Sequence, residues 1–180
     1  MSRFADYMCE VFGAEEGKNH GYPGHPEVEL ALVKLYRVTG RKQYLELADY
    51  FVRNRGSRPC YFENEECIRE GKYIFPEFAD FGLDYAQAHI PLKEQRTAEG
   101  HAVRAVYLYS AMADLADEYQ DEELLKQCEA LWEDITQKKM YITGSIGSAA
   151  DGERFTCSYD LPNNTNYSES CATIGLAMFS

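Results

Sequence analysis

Five side chains in this 180-residue sequence have types and spacings that could do chemistry: His25, His101, Glu153, Glu169 and Cys171. Each histidine follows a glycine and stands at the head of an apolar run, in Gly24-His25 and Gly100-His101. An imidazole titrates near neutral pH, so it can carry a proton, ligate a metal or hydrogen-bond a hydroxyl. Either histidine alone reads as a capping or core residue; the repeated context raises the reading of one shared site. Glu153 follows Gly152 in a glycine-rich stretch, where most glutamates are merely solvated. Glu169-x-Cys171 puts a carboxylate and a thiol two residues apart, which could give two ligand atoms to one metal. A cysteine is also often just a small buried hydrophobe.

The elements that must position these groups read as helices. Residues 26–39 open with a proline and close before Gly40, and apolar residues on every face predict a helix buried all round. Residues 41–55 carry one stripe, Tyr44, Leu45, Leu47, Ala48, Phe51 and Val52, opposite charged residues, and predict a surface helix. The couplet recurs. Residues 101–118 are apolar nearly all round, and 121–137 are one-sided, with Leu124, Leu125, Cys128, Leu131, Trp132 and Ile135 as the stripe. An offset of 80 pairs Leu45 with Leu125, Ala48 with Cys128 and Phe51 with Leu131. Alternating inner and outer helices are the pattern of an α/α toroid. The two Gly-His pairs lie 76 apart, about one helical turn short of 80. Both histidines are then expected at the same mouth of the ring.

Residues 57–93 hold three prolines and the aromatics Tyr61, Phe62, Tyr73, Phe75 and Phe78, which predicts irregular chain able to cover that mouth. Residues 140–165 break the helical period with glycines, Pro162 and an Asn-Asn pair, and read as loops or a short hairpin. Residues 168–179 return to helix, with Ser168 or Thr165 as caps. The acidic run from Asp114 to Glu123 reads as a solvated inter-helix turn without a function.

Composition narrows the classes. The formal net charge is −12, which repels phosphate backbones and argues against a nucleic-acid partner. No apolar run approaches the ~20 residues of a membrane span, so no membrane role is expected. The first residues carry charges where a signal peptide needs an apolar core, which makes the cytoplasm the expected compartment. The six cysteines contain no C-x-x-C pair, against a zinc ribbon, and the chain length is against a disulfide scaffold.

The runs HGYPGHPEVELALVKLYRVTG, YAQAHIPLKEQRTAEGHAVRAVYLYSAMADLA, KKMYITGSIGS, GERF and YDLPNNTNYSESCA, in this order, resemble glycoside hydrolase family 127, typified by β-L-arabinofuranosidase. The resemblance covers essentially the whole chain. It implies an all-α fold, an incomplete (α/α)6 barrel over residues 1–180. An upstream segment, the remaining helices and the β-sandwich domains of the family are expected to be absent. It implies retaining hydrolysis of an arabinofuranoside or related glycan, with a zinc-bound cysteine thiolate as nucleophile and a glutamic acid as general acid/base.

By resemblance, Glu153 in GER is the acid/base, Glu169 and Cys171 in ESC are two zinc ligands, and His25 and His101 bind the sugar. The family's other two zinc ligands are an adjacent Cys-Cys pair, one of them the nucleophile, and this sequence has no such pair. A further sugar-site histidine of the family belongs to the absent upstream segment. The five residues are therefore expected in one cleft, in a chain inactive alone, weak for zinc and prone to self-association through the apolar faces of its open edge. The alternative is a non-catalytic α/α-toroid module that binds sugar or a protein partner.

Overall fold

A computed structural model describes residues 1–63 and 80–180. The chain is all-α: among the described residues there are α-helices and short helical turns, and strand pairing is limited to isolated bridges. The helices are α1 (Ser2–Val11), α2 (Val28–Thr39), α3 (Lys42–Asn54), α4 (Ala102–Tyr119), α5 (Glu122–Asp134) and α6 (Ser170–Phe179). They alternate between outer (α1, α3, α5) and inner (α2, α4, α6) positions of an incomplete α/α toroid. No helix among the described residues is long and apolar enough to cross a membrane.

α4 is apolar all round because it is packed all round. α2, α3, α5 and α6 contact it, and Ala105, Val106, Leu108, Tyr109, Met112 and Leu115 are buried. α6 comes especially close: a Cβ at Gly175 would collide with Val106. α3 buries the expected stripe of Tyr44, Leu45, Leu47, Ala48, Phe51 and Val52. α5 is capped by Asp121, whose carboxylate accepts from the amides of Glu123 and Leu124. α2 ends on Gly40 at φ 72°, and the Gly40 amide donates to the Tyr36 carbonyl.

Several expectations need correction. α2 begins at Val28, and it is not buried all round: Ala31 is exposed and Val38 is 85% exposed. Its apolar residues exceed what α3 and α4 can cover. Leu125 points outward, so the offset of 80 fails at the Leu45–Leu125 pair, although Ala48 with Cys128 and Phe51 with Leu131 are buried in register. α5 stops at Asp134 and continues as one wide helical turn, Ile135–Lys139. Neither Ser168 nor Thr165 caps α6; Glu169 occupies that place without a side-chain cap bond, and Ser168 accepts from the Ser145 hydroxyl.

α1 had no counterpart in the sequence reading. It packs on α3, where its Asp6 accepts from the Tyr44 hydroxyl at 2.7 Å and the Gln43 amide at 2.9 Å. The acidic end of α4 is not simply solvated: Arg37 of α2 bonds Asp114, Asp117 and Glu118, offsetting like charge at a helix C-terminus. Of the aromatics expected to cover the mouth, Tyr73, Phe75 and Phe78 lie outside the described residues.

Candidate functional site

The site forms where the start of α4 meets two returning loops. His101 is the N-cap of α4, and its Nδ1 accepts from the Arg104 amide at 3.4 Å. That fixes the proton on Nε2, which faces Glu153 Oε2 at 3.0 Å. The loop bearing Glu153 is tied down by backbone bonds. Ala149 and Arg154 exchange amide–carbonyl bonds, and the Phe155 amide donates to the Gly100 carbonyl at 2.9 Å. Gly152 (φ 69°) and Glu153 itself (φ 50°) are left-handed, a conformation that costs a side-chain-bearing residue about 1–2 kcal/mol. Gly152 also sits on the stacked rings of Phe81 and Tyr85, which a Cβ would crowd at 3.0 Å.

A second tie brings the segment before α6 to the same place. The amides of Tyr167 and Ser168 donate to the carbonyls of Ser148 and Gly147. The Tyr167 hydroxyl then lies 2.7 Å from Glu153 Oε1 and 3.3 Å from Glu169 Oε2. It has one proton, and the shorter contact takes it. His25 completes the group, its ring edge-on to His101 with centroids 5.6 Å apart.

The electrostatics follow from these contacts. Burial, with the charges of Arg104 and His25, pushes His101 down to about 4, so it is neutral at pH 7 and donates to an ionised Glu153. Burial and Arg104 also lower His25, against the nearby carboxylate of Glu27. The Tyr167 hydrogen bond, helped by His101, holds Glu153 below the usual carboxylate range. Burial and the charge of Glu153 raise Glu169.

The structure thus brings together His25, His101, Glu153 and Glu169. Cys171 follows Glu169 in the first turn of α6, with its side chain exposed. A tetrahedral zinc takes four ligands. Among the described residues no three His, Cys, Asp or Glu side chains form a metal-holding group, so Glu169 and Cys171 do not make a zinc site by themselves. Two site members were missed. Tyr167 lies two residues before Glu169, and Arg104, whose guanidinium lies 4.7 Å over the Tyr85 ring, sits one turn after His101. Neither carries a signal of its own in one sequence. Arg104 also walls a cavity of about 420 Å³, together with Tyr22, Tyr61, Phe62, Phe81 and Tyr85. Aromatic walls of this kind suit the apolar faces of sugars.

Comparison with known proteins gives a consistent result. The family model described as beta-L-arabinofuranosidase, GH127 catalytic domain, matches residues 1–180. A non-reducing end beta-L-arabinofuranosidase of Bifidobacterium longum subsp. longum is 43% identical over 177 residues, which are 98% of this chain and 27% of that protein. The crystal structure of a GH127 beta-L-arabinofuranosidase from Geobacillus stearothermophilus T6 superposes with a TM-score of 0.93 at 51% identity, covering 99% of this chain and 28% of the other. A further GH127 beta-arabinofuranosidase structure gives 0.83 at 40% identity, covering 99% and 25%. The chain spans about a quarter of the length of these relatives.

Proposed function

This chain belongs to the glycoside hydrolase family 127 catalytic domain, and on that premise we propose that it supplies the acid/base half of a retaining β-L-arabinofuranosidase site. The carrying observation is Glu153, held between the Tyr167 hydroxyl at 2.7 Å and His101 Nε2 at 3.0 Å. Glu153 protonates the leaving glycosidic oxygen and afterwards takes a proton from the attacking water. In the sugar-free site it is a carboxylate. Its side chain is 41% exposed, so a sugar ring laid over it removes water and raises its pKa toward the acid form. His25, neutral, offers a hydrogen bond to a sugar hydroxyl, and His101, whose Nδ1 and Nε2 are engaged by the Arg104 amide and Glu153, reaches one by sharing its Nε2 proton.

Glu169 and Cys171 are two donors of a zinc site whose other ligands lie outside this chain. When bound, zinc supplies a deprotonated, oriented thiolate. The nucleophile is assigned to no residue of residues 1–180. The substrate is an arabinofuranoside or related glycan. The apolar residues exposed on the inner helices, Val38, Ile174 and Met178, are the surfaces through which the chain associates with further helices or with copies of itself.

The test is leaving-group dependence in the intact enzyme that contains this chain. Glu153→Gln is expected to slow hydrolysis of an alkyl β-L-arabinofuranoside by about 10²–10⁴-fold. The 4-nitrophenyl glycoside, whose leaving group needs little protonation, should lose much less. Equal losses on both substrates refute the acid role. No hydrolysis of either by the unaltered protein favours the non-catalytic sugar-binding module.

A further inference from the structure

The two site histidines are approached by the same buried device. Arg55, just past the end of α3, is fully buried. Its guanidinium donates to the Pro23 carbonyl at 2.6 Å, lies 3.4 Å from the buried carboxylate of Glu29, and sits 4.8 Å over the ring of Tyr22. Lys139, in the turn that ends α5, is also buried. Its ammonium donates to the Ala98 carbonyl at 2.6 Å, lies 3.4 Å from the buried carboxylate of Asp134, and sits 5.6 Å over the ring of Phe155. Pro23 is two residues ahead of His25 and Ala98 three ahead of His101. The outer helices α3 and α5 therefore each lead into a buried cation that grips the backbone from which a site histidine emerges.

We propose that Arg55 and Lys139 are the positioning residues of the site, Arg55 for His25 and Lys139 for His101 with its Glu153 contact. A buried cation is costly unless its donors are used; here both terminal nitrogens of Arg55 and the ammonium of Lys139 donate to loop carbonyls, while Arg55 Nε is buried without a partner. Arg55 spends a second arm of its fork on the Ala86 carbonyl at 2.8 Å. The neighbouring Gln87 amide donates to the Glu99 carbonyl at 2.8 Å, so the two grips are joined by one buried polar chain. Lys139 reaches both sides of the His101–Glu153 contact. It holds Ala98 on one side and lies under Phe155 on the other, and the Phe155 amide is bonded to Gly100. Asp134 closes the arrangement by accepting from the Ala98 amide at 2.9 Å. The inference rests on this geometry alone, so it stands or falls independently of the proposed hydrolysis.

Imidazole ¹⁵N spectra of the full chain at pH 7 test it, because His20, His25, His89 and His101 report separately. Lys139→Met with Asp134→Asn removes the buried pair without stranding a charge. It should shift the His101 nitrogens and leave His25 and His20 in place. Arg55→Lys keeps the charge but loses the two-armed grip, and should move His25. Lys139→Arg keeps a cation at the same depth and should return His101 to its wild-type position. Folded variants in which His25 and His101 keep their shifts overturn the proposal. So does a pattern in which all four imidazoles move alike, since general loosening would do that. If the double variant fails to fold, Lys139→Gln, which is too short for the Ala98 carbonyl, is read by the same criteria.

Discussion

The two helical couplets start from the same dipeptide and end in different surroundings. Gly24-His25 precedes α2 on the open side of the molecule. His25 lies three residues short of the helix, its side chain is 37% exposed, and its carboxylate neighbour at 3.6 Å is the exposed Glu27. Gly100-His101 opens α4, the helix wrapped by four others. His101 is the cap itself, its side chain is 8% exposed, and it is bonded to Glu153. The helix start brings each imidazole to the mouth. What crosses over it decides its chemistry: the loop from Gly147 to Phe155 and the Tyr167 segment cross His101 and give it a carboxylate partner.

The comparison can be broken most forcefully in the helices themselves. Leu108→Ala in α4 empties a fully buried position and is expected to cost about 2–5 kcal/mol in denaturant unfolding. Val38→Ala in α2 removes an exposed side chain and should stay within about 0.5 kcal/mol. Similar costs at the two positions would mean that α2 is as enclosed as α4.

The glycines come next. Gly100 has φ 72°, and a Cβ there would strike the Asp84 carbonyl oxygen. Gly100→Ala should therefore cost about 2 kcal/mol or more. A Cβ at Gly24 meets nothing within 4 Å and its φ is ordinary, so Gly24→Ala should change melting by less than about 0.5 kcal/mol. If both substitutions are harmless, the backbone at Gly100 is not as described.

The smallest effect is the one that separates the two imidazoles. An NMR titration should find His101 near pH 4, and His25 below an ordinary histidine through burial and Arg104, opposed by Glu27. His101 has a depressed folded pKa, so between about 4 and 6.5 the unfolded chain binds a proton that the folded chain refuses. Its contribution to stability is fully present above 6.5 and is lost as pH falls through that window. A His101 that titrates at or above 6.5 would place it in water or beside a dominant carboxylate.

Much of this architecture was legible in the residues. The apolar surround of 101–118 and the single stripe of 41–55 set inner against outer helix, and Gly40 and Asp121 marked true boundaries. The error at Leu125 arose because a stripe read from one sequence cannot tell a packed leucine from one on its rim. α2 misled for a related reason: apolar residues on every face say that a helix wants neighbours, not that the described chain provides them. In the site, the paired histidines stood out through their repeated Gly-His context, and Glu153 through resemblance to the family. Tyr167, Arg104, Arg55 and Lys139 did not, because their roles come from segments that meet only in the fold, Arg55 with Pro23 across 32 residues and Lys139 with Ala98 across 41. A lone arginine or lysine carries no mark of burial.

The central claim is that the two couplets deliver His25 and His101 to one site, with Glu153 on the far side of His101. The most direct test is a nuclear Overhauser experiment on the histidine rings of the full chain. With centroids 5.6 Å apart and edge-on packing, cross-peaks between the ring protons of His25 and His101 are predicted, alongside contacts from His101 to the Glu153 side chain. Strong His101–Glu153 contacts with no His25–His101 cross-peak would contradict the account, since His25 would then stand outside the site that its couplet was said to build.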